Sequence, residues 1–265
     1  MSIAIKNKLK YLHEGWPPNT VITARSLRAK GFSDQLIQKY CQSGWLIRLG
    51  HGAFQRQYDK TVWVGGLYAI QHDLKKPIHI GGLTALEYAG LAHYLKMSSQ
   101  TTIYLYNTTT TKTQLPRWFH DYFNNEGLFI YKQVQLFSKE IGLKTQLIDG
   151  LEVIVSDPER AILELLYLVP SVISFEHATQ LLENLQTIRP AMMQELLESC
   201  HHILVKRLFL CLAELNDLPV IKYLDTKTIN LGSGTRRIAT GGQYIAQYDL
   251  VIPFDNVNEI DDIDV

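Results

Sequence analysis

The chain has 265 residues, 46% of them hydrophobic and 20% charged, a globular composition that excludes disorder over most of its length. No apolar run approaches the ~20 residues that cross a bilayer. The start "MSIAIKNKLKYLHEG" has neither an h-region nor a small-residue cleavage site, so a cytoplasmic location is expected. The formal net charge of zero conceals an asymmetry: residues 1–60 carry ten Lys and Arg against three acids, a net of +7, and the remainder sixteen against twenty-three, a net of −7. A basic module joined to an acidic one points to a polyanion partner for the first part only.

Ile5, Leu9 and Leu12 recur at helical spacing with lysines opposite, which predicts a helix near 3–13. The prolines of "GWPPN" end it. Thr23 is placed to cap a short helix, "ARSLRAK", closed by Gly31, and Ser33 to cap a third, "DQLIQKYCQS", closed by Gly44. Two short helices joined by "GFS" fit a helix-turn-helix. In the third, Leu36, Ile37, Tyr40 and Cys41 share one face, and Asp34, Gln35, Gln38, Lys39 and Gln42 the other. Glutamine suits the adenine edge in a major groove and lysine suits guanine or phosphate, although a solvated face is the simpler alternative.

The next stretch, "GWLIRLGHGAFQR" (44–56), reads as a hairpin with Leu46 and Leu49 inward, Gly50 and Gly52 at the turn, and Arg48, His51 and Arg56 outward. Three helices followed by a basic hairpin is the order of a winged helix. In that fold the third helix enters the groove and the hairpin follows the phosphates.

Further on, "WVGGLYAIQHDL" predicts a connecting helix and "PIHIGG" a short strand. "TALEYAGLAHYL" predicts a helix opened by a Thr84–Glu87 capping box. Residues 101–106, 128–134, 145–148 and 151–155 read as strands, the last two joined by Asp149-Gly150. "SDPERAILELLYLV" starts a helix with Asp157 as N-cap and Pro158 in the first turn. Amphipathic stretches near 174–186, 190–200 and 202–216 follow, before short strands and glycine turns in "TINLGSGTRRIATGGQYIAQYDLVIP".

The fold expected is α+β. A winged helix-turn-helix covers 1–60 and a connecting helix 61–75. A larger mixed domain with a small sheet and a helical bundle covers 76–253, and an acidic tail 254–265; the last seventeen residues hold six acids and no base.

No catalytic constellation is expected, and no cofactor or metal. "GSGTRR" lacks the phosphate-loop lysine spacing and is expected to be a turn presenting Arg236 and Arg237. His201 and His202 are adjacent and would diverge on a helix. Cys41, Cys200 and Cys211 fall at apolar helical positions, as buried reduced thiols do. Tyr104, Tyr106, Trp118, Tyr122, Phe123 and Tyr131 are expected in the core, with base stacking the alternative.

Four stretches in order, "TARSLRAKGFSDQLIQKYCQSGWLIRLGHGAF", "IGGLTALEYAGLAHYL", "SDPERAILELL" and "LDTKTINLGSGTRRIATGG…YDLVIP", resemble the AbiEi-type antitoxins. These are the regulator half of bacterial type IV toxin–antitoxin and phage abortive-infection modules. The family's usual Arg-Gly-x-Tyr wing tip reads His51-Gly52-Ala53-Phe54 here, exchanging a fixed cation for a titratable one.

The resemblance implies an autorepressor whose winged helix binds repeats upstream of its own operon. It also implies a C-terminal domain that neutralises a nucleotidyltransferase-type toxin. Carried over, the DNA-contacting set is Gln35, Gln38, Lys39 and Gln42 on the recognition helix, with Arg48, His51 and Arg56 on the wing. Arg25 and Arg28 become phosphate contacts from the second helix. The alternative is a winged helix that docks protein, in an adaptor or ligand-sensing regulator without a toxin.

Overall fold

The structure is a computed structural model that describes residues 3–15, 17–92, 101–107, 109 and 112–254, with the side chains of 3–7 left aside. The acidic tail lies outside the described residues from 255 onward. The first elements are α1 (Ile3–Glu14), β1 (Ile22–Thr23), α2 (Ala24–Ala29), α3 (Asp34–Gln42), β2 (Leu46–Gly50) and β3 (Ala53–Arg56). Next come α4 (Trp63–His72), β4 (Ile78–Ile80), α5 (Gly82–Tyr88), β5 (Thr102–Asn107), α6 (Arg117–Phe123), β6 (Leu128–Gln133), β7 (Leu143–Ile148) and β8 (Leu151–Ser156). The chain closes with α7 (Pro158–Leu166), α8 (Phe175–Glu183), α9 (Pro190–Ser199), α10 (Ile203–Leu215), β9 (Arg236–Arg237), β10 (Gln243–Ile245) and β11 (Leu250–Ile252).

These elements form two compact units that interleave along the sequence: 1–80, 97–135 and 143–156 make the first, and 81–96, 136–142 and 157–265 the second. The expected boundary at residue 60 is therefore displaced. The connecting helix α4 and strands β4 to β8 belong with the winged helix, because long-range pairing outweighs chain order.

In the first unit, α1 to α3 enclose a core of Leu12, Ile22, Leu27, Phe32, Ile37, Tyr40, Leu46 and Phe54. Burying each such large apolar side chain stabilises by about 1.5–3 kcal/mol. The antiparallel sheet runs β1-β3-β2. The register of β2 on β3 shifts between Arg48 and Gly50. That irregularity leaves Leu49 only half-buried, whereas Leu46 is fully buried. The same unit holds a mixed five-stranded sheet, β6-β5-β4-β8-β7. Its β7–β8 hairpin turns through Asp149 and Gly150, both at positive φ, as an Asp-Gly hairpin turn requires. Gln71 pins α4 to this sheet, donating to Ile78 O at 2.7 Å and accepting from Ile154 N at 2.9 Å. Tyr104, Tyr106, Trp118 and Phe123 are core residues, as expected, while Tyr122 is exposed.

The second unit is helical, with a small mixed sheet β10-β11-β9. Pro158 opens α7, but the Asp157 side chain does not cap the helix; its carboxylate accepts instead from Arg189 Nη2 at 2.7 Å. Glu159 takes the Arg189 backbone N–H at 2.8 Å, its Nε at 3.0 Å and its Nη2 at 2.8 Å. Burial alone would raise the Glu159 carboxyl, but the bonds from Arg189 prevail and hold it below the usual carboxylate range. On α10, buried Arg207 donates to the carbonyls of Leu231, Gly234 and Asp249, each at 2.8 Å, tying the glycine-rich closing segment to the helix.

The expected Thr84–Glu87 capping box does not open α5. That helix starts three residues earlier, with Gly81 as its N-cap, where Gly82 N–H is bound by the buried Glu164 carboxylate at 3.2 Å. Cys200 and Cys211 are buried free thiols and Cys41 is half-buried. Burial pushes the Cys211 thiol up to about 11.

Candidate nucleic-acid interface

The helix-turn-helix is set by local chemistry. Thr23 Oγ1 accepts from Ser26 N at 3.1 Å to cap α2, Gly31 takes a φ of +79° after its last turn, and Ser33 Oγ accepts from Leu36 N at 3.3 Å to cap α3. Ile37 and Tyr40 then bury one face of α3, with Leu36 and Cys41 packed partly beneath. The opposite face holds Gln35, Gln38, Lys39 and Gln42, all exposed. Their spacing sets them on neighbouring turns of one surface.

The wing stands beside that face. Its two-residue turn is His51-Gly52, with Gly52 at a φ of +70°. Ala24 N–H donates to Gly52 O at 2.8 Å, so the wing tip is fastened to the start of α2. His51 is exposed at the tip, and the Arg48 guanidinium lies 5.0 Å from the centre of the buried Phe54 ring. Together α2, α3 and the wing bound a cleft of about 400 Å³, lined by Arg25, Arg28, Gln38, Arg48 and His51 among others. Five of the nine expected DNA-contacting residues thus converge there. Gln35, Lys39 and Gln42 lie on the exposed face of α3 without lining the cleft.

Arg56 departs from expectation. It is engaged internally: Nε binds Asp59 Oδ2 at 3.0 Å, Nη1 binds His13 O at 2.8 Å and Nη2 binds Pro17 O at 3.1 Å. Its side chain is 14% exposed. The reason is positional, since Arg56 pairs with Leu46 at the base of the hairpin, where the end of α1 and the proline loop converge. It ties the base of the hairpin to the end of α1 and the proline loop.

Three residues of the cleft lie outside the expected DNA-contacting set. Asp34 lines it and bonds Arg28 at 2.9 Å. Leu74 and Trp118 line its far side from beyond residue 60. A Cβ on Gly50 would sit 2.6 Å from Trp118 Cβ, so this glycine is what lets α6 lie against the wing. Asp73, at the end of α4, accepts from Thr23 Oγ1 at 3.2 Å and Thr23 N at 3.4 Å, and so braces the start of α2. Burial raises the Asp73 carboxyl, opposed in part by those bonds.

In the second unit, Arg236 is half-buried and Arg237 exposed on β9. His202 packs edge-on against Tyr167 at 5.1 Å, while His201 is exposed. No helix among the described residues is long and apolar enough to cross a membrane.

Comparison with known proteins adds a family to this geometry. Residues 5–97 match the model for the N-terminal domain of the AbiEi antitoxin transcriptional regulators, and residues 100–253 match the model for AbiEi antitoxin transcriptional regulators of type IV toxin–antitoxin systems. No curated protein matches significantly. The crystal structure of the RV2827C protein from Mycobacterium tuberculosis is similar in fold, with a TM-score of 0.59 over 94% of this chain and 90% of that one at 13% identity. With family models spanning nearly its whole length, the chain belongs to the AbiEi antitoxin family of transcriptional regulators from type IV toxin–antitoxin systems.

Proposed function

We propose that this chain is a cytoplasmic, non-catalytic autorepressor and antitoxin that binds the operator of its own operon and opposes a nucleotidyltransferase-type toxin. The observation that carries the DNA-binding part is the convergence of Arg25, Arg28, Gln38, Arg48 and His51 on one cleft beside the exposed polar face of α3. In this account α3 enters the major groove. Gln35, Gln38 and Gln42 read base edges, Lys39 reads guanine or phosphate, and Arg25, Arg48 and His51 meet the backbone. The antitoxin part rests on the family alone, and no residue is assigned to it.

The test is a gel shift of the full chain on duplex DNA from upstream of its own reading frame, against a scrambled duplex. Selective retention of the upstream fragment is expected, and equal affinity for both overturns the repressor. For the antitoxin, co-expression with a neighbouring nucleotidyltransferase-type reading frame should restore growth. Failure to do so leaves a repressor or adaptor without a toxin.

A further inference from the structure

The cleft beside α3 mixes one carboxylate with its cations. Asp34, the first residue of α3, lines it together with Arg25, Arg28, Arg48 and His51. An acid at that place opposes a purely electrostatic phosphate surface, since it repels the DNA backbone and neutralises a cation. The stability of its ion pair does not account for it. The Arg28 and Asp34 side chains are 58% and 69% exposed, and ion pairs so solvated contribute little.

The geometry of the pair suggests what it does. Asp34 Oδ1 accepts from Arg28 Nε at 2.9 Å. Anchoring through Nε restricts the guanidinium plane and leaves the two terminal nitrogens, for which no hydrogen bond is found among the described residues. Two such N–H donors form the fork that matches guanine O6 and N7. Gln38 sits four residues after Asp34, one turn along the same helix, and lines the same cleft. The fork and the amide therefore stand on adjacent steps of one surface.

Resting on the DNA-binding account above, we propose that Asp34 is a positioning residue for sequence recognition, holding Arg28 as a reader of a guanine edge and not as a phosphate contact. Arg28 then leaves the set of backbone cations to which the family resemblance assigns it. The acid is the device that keeps it there, because an unpaired guanidinium beside a duplex is drawn to the nearest phosphate.

The test is selection of binding sites from a random-sequence duplex library by the full chain and its variants, with salt titration on one fixed random duplex. The wild-type motif should contain a G·C pair whose preference falls about 10-fold or more in Arg28→Ala, Arg28→Lys and Asp34→Asn. Lysine keeps the charge but not the fork, so Arg28→Lys should leave the salt dependence unchanged. Asp34→Asn should steepen it by about 0.9 in the log–log slope, as the released guanidinium finds a phosphate. Removing any acid beside the duplex steepens that slope, so the readout that separates a positioning role is the loss of the G·C preference in Asp34→Asn, which a merely electrostatic acid would leave in place.

An unchanged motif in Asp34→Asn, or an equal loss on every duplex in Arg28→Ala, overturns the proposal while leaving DNA binding intact. A wild-type chain that binds no duplex overturns the DNA-binding account itself. Ser33 still caps α3 in Asp34→Asn, and a circular dichroism melt checks the fold. Should that variant unfold, Arg28→Lys decides alone: an unaltered motif there contradicts the fork.

Discussion

Three arginines of each unit are used in opposite ways, although Arg237 of the second unit is exposed as well. In the first, Arg25, Arg28 and Arg48 are exposed and line a cleft. In the second, Arg160, Arg189 and Arg207 are committed to the fold: Arg160 to buried Glu164 at 2.8 Å, Arg189 to Asp157 and Glu159, and Arg207 to three carbonyls. The residue type is the same, yet the first set lines an open cleft and the second is engaged by carboxylates and carbonyls of the fold. Arg56 shows that the division follows partners and not position in the chain. It belongs to the first unit and is held as firmly as those of the second.

The comparison breaks most visibly at Arg207. Replacing it with Leu leaves three carbonyls of the closing segment without their donor, and we expect a loss of about 3 kcal/mol in a denaturant melt. The salt dependence of DNA binding by the folded fraction should not change. Glu159→Gln is milder, about 1–2 kcal/mol at neutral pH, because Arg189 is half-exposed and its pair is partly screened.

Its pH dependence has a definite sign. The folded Glu159 carboxyl lies below its unfolded value, so its contribution is present above the ordinary carboxylate range and is lost as pH falls through the folded value. Melts of wild type from neutral to acid pH should therefore lose stability that Glu159→Gln no longer has to lose. Parallel curves for the two proteins would contradict this.

On the DNA side, Gln38→Ala should cost about 1–3 kcal/mol of discrimination at one A·T pair while leaving random-sequence affinity nearly unchanged. Arg48→Ala should weaken all sequences alike and reduce the log–log salt slope by about 0.9, whereas Arg56→Ala should lower the melting midpoint and leave the slope in place. If Arg56→Ala instead flattened the slope, the assignment of that arginine to the fold would fail. The smallest effect is expected from His51→Arg, a modest tightening on every duplex from one fixed cation at the wing tip.

What the sequence made legible follows the range of the interactions involved. Thr23, Gly31 and Ser33 announce α2 and α3 because a cap bonds within three residues of itself. Asp149-Gly150 announces its hairpin for the same reason. The exposed face of α3 was visible because burial of Ile37 and Tyr40 dictates which side faces out.

Long-range partners were not visible. Arg56 binds carbonyls 43 and 39 residues away, Trp118 on α6 reaches Gly50 on β2, and Glu164 binds the start of α5 across 82 residues. The alternation of a hairpin says which side chains point outward, not what another segment brings to meet them. Asp34 was visible as a solvated acid, yet its bond to Arg28 depends on the angle between two helices.

The central claim is that the first unit presents cations to a duplex. Fluorescence anisotropy of the full chain on the duplex from upstream of its own reading frame, at stepped salt, tests it most directly. With Arg25, Arg48 and Lys39 each meeting a phosphate, log affinity should fall against log salt with a slope of about −3 or steeper. Affinity that holds level as salt rises would contradict the account.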